Sequence, residues 1–373
     1  MVNYPSDWKI SQIDKIASIT TGCRDVKDSI RNGRYPFYVR SKEVERINFD
    51  DFNCEAVLTA GDGGAGKIFH YINGKFAAHQ RVYVISKFEE VDGKYFYYFF
   101  SKNFLQEVEK YTAKSTVDSV RRPMIANMEF PLPTLKEQRA IASVLSDFDQ
   151  HIDNLTELIE KKKAIRDGAL EDLLSGRTRL DGFNGEWISI KLSDFAQINP
   201  SSLLPEVFKY VDLESVKGIS LMSWRFERKE TAPSRAKRLA QHGDIFFQTV
   251  RPYQRNNYLF ELPDEDVVFS TGYAQLRTGN NARFLFLLLR QDSFVNEVLD
   301  NCTGTSYPAI NPSKLADIKI YVPVDVYEQE AIAQVVTAMD REIGDLETEK
   351  AKFVQIREGV MNELLTGRVR LKV

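Results

Sequence analysis

The chain is poor in sulfur: its three cysteines, Cys23, Cys54 and Cys302, lie far apart and are odd in number. That count excludes a disulfide framework or a cysteine-rich zinc site and suits a reducing compartment, the cytoplasm. Histidines are equally few (His70, His79, His151, His242), none at metal-ligand spacing, and neither HExxH nor CxxC occurs. Long apolar runs are missing too. The longest, Phe284–Leu289 and Tyr95–Phe100, fall far short of the ~20 residues a membrane span needs, and the polar opening MVNYPSDWKI is no signal peptide. Nor is there an excess of charge of one sign: 50 basic residues face 53 acidic ones, a net of -3. Any nucleic-acid-binding face must therefore be local, with acidic segments elsewhere hiding it in the sum. What is present is a chain of 373 residues, 43% apolar and 28% charged, long enough for two or three domains with real cores.

Catalytic motifs are also scarce. Gly61-Asp62-Gly63-Gly64-Ala65-Gly66-Lys67 fits most of the phosphate-loop pattern GxxxxGK, but Ile68 stands where the magnesium-binding Ser or Thr belongs. From there Ile68-Phe69-His70-Tyr71-Ile72 alternates like a strand, whereas the motif needs a helix N-terminus aimed at the phosphates. A glycine-rich hairpin loop presenting Lys67 is the expected structure, and a nucleotide hydrolase remains the alternative. No GxSxG elbow occurs, and Asn199-Pro200 and Asn311-Pro312 each continue with Ser rather than the NPPY of an amino-methyltransferase. Asp264-Glu265-Asp266 lacks the spaced lysine of a nuclease and reads as a solvated loop.

The strongest signal is an internal repeat. Glu137–Leu180 laid over Glu328–Leu371 gives 19 identities in 44 positions without a gap. The matches include Glu137-Gln138 with Glu328-Gln329, Asp149 with Asp340, Arg166 with Arg357, and Gly176-Arg177 with Gly367-Arg368. Fainter anchors precede it: Asp7-Trp8 with Glu186-Trp187, Tyr38-Val39 with Tyr210-Val211, and Gly61-Asp62 with Gly243-Asp244. The chain reads as variable body, constant segment, variable body, constant segment.

Each constant segment is helical. Ile141, Leu145, Phe148, Ile152, Leu155 and Ile159 step by four and three, and Ile332, Val336, Met339, Ile343 and Leu346 keep the same register. That is the 3.5-residue period of a coiled-coil seam. The seam falters at Lys162-Lys163 and Lys350, then resumes through Ile165 and Leu170, or Ile356 and Val360. Pro133 and Pro323 mark the starts, Gly176 and Gly367 the stops. Glu137–Ser175 would span roughly 58 Å at ~1.5 Å per residue. Each helix could pack on its own body, but two copies in one register favour mutual pairing, antiparallel if the halves are related by a pseudo-twofold. The copy of Arg177–Leu180 ends the chain, which places the C-terminus beside Pro5–Trp8 in a circular layout. The bodies alternate short strand patterns with one helix each, at Gly93–Tyr111 and Arg283–Asn301. The expected fold is α+β (mixed α/β): two pseudo-repeated bodies separated by two long helices forming an antiparallel coiled coil.

Basic and aromatic residues mark candidate contact surfaces. Trp224–Asn257 holds eight Arg or Lys against three acids, a local balance of 8 - 3 = +5. Within it Gln248, Thr249, Arg251, Tyr253, Arg255 and Asn256 are dense in side chains that read base edges. Lys67 with His79, Gln80 and Arg81 would be their counterparts in the first body. Lys114 and Ser115 fall at positions matching Ser306 and Tyr307, where phosphates could be held.

Two dissimilar bodies, each followed by a near-duplicate helix opening P-x(3–4)-EQ-x-AIA and closing LL-[ST]-GR-x-RL, resemble the specificity (S) subunit of type I restriction–modification systems, over essentially the whole chain. The resemblance divides the chain into target recognition domains at 1–133 and 186–323, helical spacers at 134–176 and 324–373, and a linker at 177–185. It implies a non-enzymatic, sequence-specific DNA-binding subunit. Each recognition domain would read half of a bipartite site in double-stranded DNA, and the helix pair would set the gap. Two modification (methyltransferase) subunits, and in some systems restriction subunits, would be the partners. No cofactor is expected on this chain; S-adenosylmethionine, and ATP with magnesium, would sit on those partners. A third possibility is an assembly protein whose helices join partners without touching nucleic acid.

Overall fold

The computed structural model describes residues 4–112, 119–304 and 306–372. It falls into two compact units, Met1–Glu157 with Glu347–Val373, and Leu158–Leu346.

In the first unit, β1 (Lys9–Gln12) is followed by β2 (Ser18–Thr21), β3 (Tyr35–Tyr38), β4 (Glu45–Ile47), β5 (Phe52–Ala60), β6 (Phe69–Ala78) and β7 (Val82–Ser86). Then come α1 (Gly93–Thr112), α2 (Arg122–Ala126), β8 (Glu129–Leu132) and the start of α3 (Leu135–Leu174). Six strands form one sheet in the order β2-β7-β5-β6-β3-β4, antiparallel except for β3 beside β6. β1 pairs with β8, so the chain enters and leaves the body side by side. The core is aromatic. α1 turns Phe96, Phe99, Phe100 and Phe104 inward against Phe130 and Phe69, with ring centroids 4.4–6.3 Å apart. Burying each such ring stabilises the fold by roughly 1.5–3 kcal/mol.

The second unit runs β9 (Trp187–Lys191), α4 (Leu192–Phe195), β10 (Gln197–Ile198), β11 (Val207–Val211), β12 (Val216–Lys217), β13 (Ser220–Leu221) and β14 (Arg225–Arg228). It continues through β15 (Ala236–Leu239), β16 (Ile245–Gln248), β17 (Tyr258–Leu259), β18 (Val267–Ser270) and β19 (Tyr273–Arg277). After these come α5 (Ala282–Leu288), α6 (Asp292–Asp300), α7 (Pro312–Asp317), β20 (Lys319–Pro323) and α8 (Val326–Leu365). The single helix expected over Arg283–Asn301 is two, because Gln291-Asp292-Ser293 begins a fresh helix: Gln291 takes the extended backbone of an N-cap.

The strands repeat the first unit's topology with one break. β10-β19-β16-β17 and β14-β11-β18-β15 are separate sheets, and β11 lies parallel to β18 as β3 does to β6. One long β5 in the first unit thus corresponds to β15 and β16 together, split by Gln241–Asp244. At the split, the fully buried Asp244 accepts two hydrogen bonds from Arg277 and one each from the Gln275 amide and the Gln241 N–H.

Each long helix contributes to both units, and within each unit the two helices run antiparallel. In the first, Asp149 meets Arg357 at 2.7 Å, Phe148 faces Phe353, and His151 lies near Glu349. In the second, Lys162 meets Glu342 and Arg166 meets Asp340, at 2.7 and 2.6 Å. Ile141, Leu145, Leu155, Val336 and Ile343 are buried, and Phe148, Ile152, Met339 and Leu346 are half-buried. Ile165 and Ile356, expected to resume the seam, instead point outward, 60% and 49% exposed. The neighbouring Arg166 and Arg357 take the inner position because Asp340 and Asp149 face them there.

The repeated EQ and GR-x-R motifs have one physical purpose. Gln138 donates to the carbonyls of Pro133 and Glu90 and accepts from the Asp92 N–H; Gln329 donates to the Pro323 carbonyl and accepts from the Asn281 N–H. Each glutamine therefore ties a helix start to its body. The adjoining buried carboxylates receive arginine forks from the tails: Glu137 from Arg370, and Glu328 from Arg179. Arg370 also bonds Asp7, and Gly367 packs against Pro5 and Trp8, so the C-terminal tail closes on the first body as Arg177–Leu180 does on the second. Gly367 and Gly176 have φ near +70°, the left-handed helix stop that glycine accommodates.

Candidate nucleic-acid interface

Backbone hydrogen bonds identify one loop position in both units. In the first, the turn after β5 is held by Gly61 donating to the Arg81 carbonyl (2.7 Å) and by Val120 donating to the Gly61 carbonyl (2.6 Å); Asp62 bridges to Ser119. In the second, the turn after β16 is held by Thr249 donating to the Gly272 carbonyl (2.9 Å) and Ile310 donating to the Thr249 carbonyl (3.0 Å); Val250 bridges to Ala309. Gly61-Asp62 therefore corresponds to Thr249-Val250. The anchor drawn to Gly243-Asp244 is a mismatch, because that pair belongs to the break that splits the second unit's sheet.

Residues 61–67 form a turn that runs straight into strand β6. No helix follows, so the loop cannot aim a helix N-terminus at a phosphate, and the nucleotide-site alternative loses its support. Gly66, at φ +71°, lies so close to α1 that a Cβ would sit 3.1 Å from Leu105. Lys67 and Gln80 are exposed. Arg81 is exposed and ion-paired to Asp62, which also holds Arg40. His79 is not on the surface: it is 3% exposed, and its Nδ1 accepts from the Arg81 N–H at 3.0 Å. Burial, and then the nearby Arg40 charge, push its pKa down, which favours the neutral ring. The role of His79 is to support Arg81 from beneath. Lys114 and Ser115 lie outside the described residues.

In the second unit, Gln248 and Thr249 are likewise buried and spent on holding the loop. The Gln248 amide donates to the Val250 carbonyl and to Gln254 and accepts from the Asn256 N–H; the Thr249 hydroxyl donates to the Gly272 carbonyl. Arg251 and Arg255 flank a single helical turn, both at φ 55°, a left-handed conformation that costs a non-glycine residue energy and clusters at functional sites. The Arg251 guanidinium stacks 4.3 Å over the ring of Tyr307, itself 64% exposed, and Tyr253 is half exposed. Ser306 is exposed, and the Asn256 side chain accepts from the Gly218 N–H. Arg255 turns away, to Asp292 at 2.6 Å. An open cavity of about 960 Å³ lies over this floor, lined by Lys217, Arg235, Arg251, Gln254, Asn256 and Tyr307 among others.

The local charge balance of +5 shrinks once partners are seen. Arg225 is paired with Asp212 and Glu227, Lys229 with Glu206, and Arg255 with Asp292, while Arg238 is half-buried and its pKa lowered by that burial. Arg228, Arg235, Lys237 and Arg251 make no ion pair among the described residues. The sequence pattern alone does not separate the two groups, because Asp212, Glu206 and Asp292 all lie outside the basic stretch. Arg235, one of the eight cations of the basic stretch, reaches the loop on the turn before β15, whereas Arg40 and Lys217 lie outside every basic cluster in the sequence and are brought there by the segment after β3 and by β12. Among the described residues, no group of three or more His, Cys, Asp or Glu could hold a metal ion, and no helix is long and apolar enough to cross a membrane.

The family model for the type I restriction modification DNA specificity domain matches residues 5–164 and 229–354. Among curated proteins, the chain is 26% identical to the type I restriction enzyme MjaVIII specificity subunit of Methanocaldococcus jannaschii, covering 100% of this chain and 95% of that one. It is 22% identical to the EcoDI specificity subunit of Escherichia coli, over 89% and 81% of the two chains. Among solved structures, the type I restriction-modification S subunit from M. genitalium superposes with a TM-score of 0.66 at 19% identity, covering 98% of this chain and 97% of that one. A chain from a structure titled for complex assembly and conformational transition of the type I R-M system gives 0.59 at 13% identity, over 98% and 100%. With its repeat and fold explained by one architecture, the chain belongs to the type I restriction–modification specificity subunit family.

Proposed function

We propose that this chain is the non-catalytic DNA-recognition subunit of a type I restriction–modification complex. The loop cluster of each unit reads one half of a bipartite duplex target, and the long helices set the gap between the halves. The observation that carries this reading is one loop architecture built twice and dressed differently: Arg40, Lys67 and Arg81 in the first unit, Arg235, Arg251, Tyr253 and Tyr307 in the second. A common scaffold with unlike exposed side chains suits two unlike half-sites. Cations on these loops would meet phosphates and supply most of the affinity, while few side chains choose the sequence. Two methyltransferase subunits are the expected partners, with restriction subunits where the system also cuts. S-adenosylmethionine, and ATP with magnesium, belong to those partners.

The test is a footprint of the chain copurified with its methyltransferase subunits. Two short protected blocks at a fixed separation are expected, with affinity falling steeply as salt rises. Arg251→Glu combined with Arg235→Glu should lower DNA affinity at least roughly tenfold while the complex still assembles. If the wild-type complex protected no duplex, the chain would instead be an assembly protein and the reading would fall.

A further inference from the structure

Three residues distant in the first unit's sequence meet at one carboxylate. Arg40 lies two residues beyond β3, Asp62 opens the loop after β5, and Arg81 sits in the turn between β6 and β7. One Asp62 oxygen accepts from Arg40 Nη1 at 2.9 Å and the other from Arg81 Nη1 at 2.6 Å. The Asp62 side chain is 19% exposed, whereas Arg40 is 38% and Arg81 62% exposed. Burial raises the Asp62 pKa, but the two arginines outweigh it and hold the carboxylate below its ordinary range. The backbone of Arg81 is fixed as well: its N–H donates to buried His79 and its carbonyl accepts from Gly61. The guanidinium is therefore aimed from both ends, and its Nε and Nη2 make no hydrogen bond among the described residues.

A surface ion pair of this kind adds little stability. What it does is restrict the fork of an otherwise flexible side chain. A carboxylate beside the fork also disfavours a phosphate there, since the two anions would repel. An oriented pair of N–H donors without a phosphate to bind matches the O6 and N7 acceptors of guanine in the major groove.

Resting on the DNA-recognition reading above, we propose that Arg81 reads a guanine in one half-site, with Asp62 as the residue that positions it. The device belongs to the first unit alone, because the equivalents of Asp62 and Arg81 in the second unit are Val250 and Gly272.

The test uses the full chain with its methyltransferase subunits and a DNA pool randomised across the target. The wild type should select guanine at one fixed position of one half-site. Arg81→Ala and Arg81→Lys should lose that preference by roughly tenfold to a hundredfold, leaving the other half-site unchanged. Asp62→Asn should broaden the same position without weakening assembly. Placing 7-deazaguanine there, which lacks N7, should weaken binding by the wild type and not by Arg81→Ala. An unchanged guanine preference in Arg81→Ala would overturn the proposal. So would an equal loss on all sequences with a shallower salt dependence, the signature of a phosphate contact. A wild-type complex that binds no duplex selectively would overturn the recognition reading itself.

Discussion

His79 and Arg81 are two residues apart, and burial gives them opposite tasks. The ring of His79 keeps a lone pair on Nδ1 for the Arg81 N–H only while it is neutral. His70, in the same unit, is half-buried with Nε2 2.9 Å from the Ser41 carbonyl. Burial is the main cause that lowers the pKa of both rings. In the unfolded chain each would titrate near 6.5. The unfolded state therefore binds more protons below that pH, so stability present at pH 7 is lost as the pH falls through 6.5 toward the lower folded values. The slope is up to ~1.4 kcal/mol per pH unit for each ring. Chemical denaturation at pH 7.5 and 5.5 should show the first unit losing stability in acid, and His70→Asn with His79→Asn should lose less. Equal losses in the wild type and the double variant would mean that neither histidine carries the effect.

At the scale of the element, the long helices show what a heptad pattern can and cannot tell. The seam from Ile141 to Leu155 was legible because apolar residues recur on one face and nothing competes for it. Beyond the lysines the same rule selects Ile165 and Ile356, yet the charged neighbours Arg166 and Arg357 turn inward. Period alone cannot see that an aspartate waits across the pair at 340 or 149. Asp149 is further fixed by the Tyr98 hydroxyl at 2.6 Å, from a helix far away in sequence. Two outcomes separate seam from surface. Ile165→Lys and Ile356→Lys should each change stability by no more than ~0.5 kcal/mol, whereas Ile141→Ala should cost about 2–5 kcal/mol. Thermal unfolding of the three variants beside the wild type is the measurement. A large loss from either lysine variant would restore those isoleucines to a buried seam.

For the whole molecule, the repeat was visible wherever the same contact is made twice, as with the glutamate, glutamine and arginine of the two EQ and GR-x-R motifs. It faded where one body cuts a strand that the other keeps whole, which is how Gly243-Asp244 came to be set against Gly61-Asp62. The proposed contact cluster was only partly legible: Arg81 stands out beside Gln80, but Arg40 and Asp62, which join it, come from the loops after β3 and β5, and no spacing in the sequence links the three. If the helices set the gap between half-sites, their length must be read out in the target. Four residues inserted between Lys161 and Lys162 add ~6 Å and just over one turn, so the apolar face returns nearly to its place. Four more between Glu342 and Ile343 keep the partners on either side in step, because Lys162 pairs with Glu342. At ~3.4 Å per base pair, this double insertion should lengthen the tolerated gap by one or two base pairs and leave both half-sites unchanged. Two residues in each helix would instead turn the seam by about half a turn and expose it, so that variant should fail to assemble. Sequencing the methylated adenines in DNA from cells carrying each variant reads the gap directly, and altered half-sites at an unaltered gap would show that the helices do not measure it.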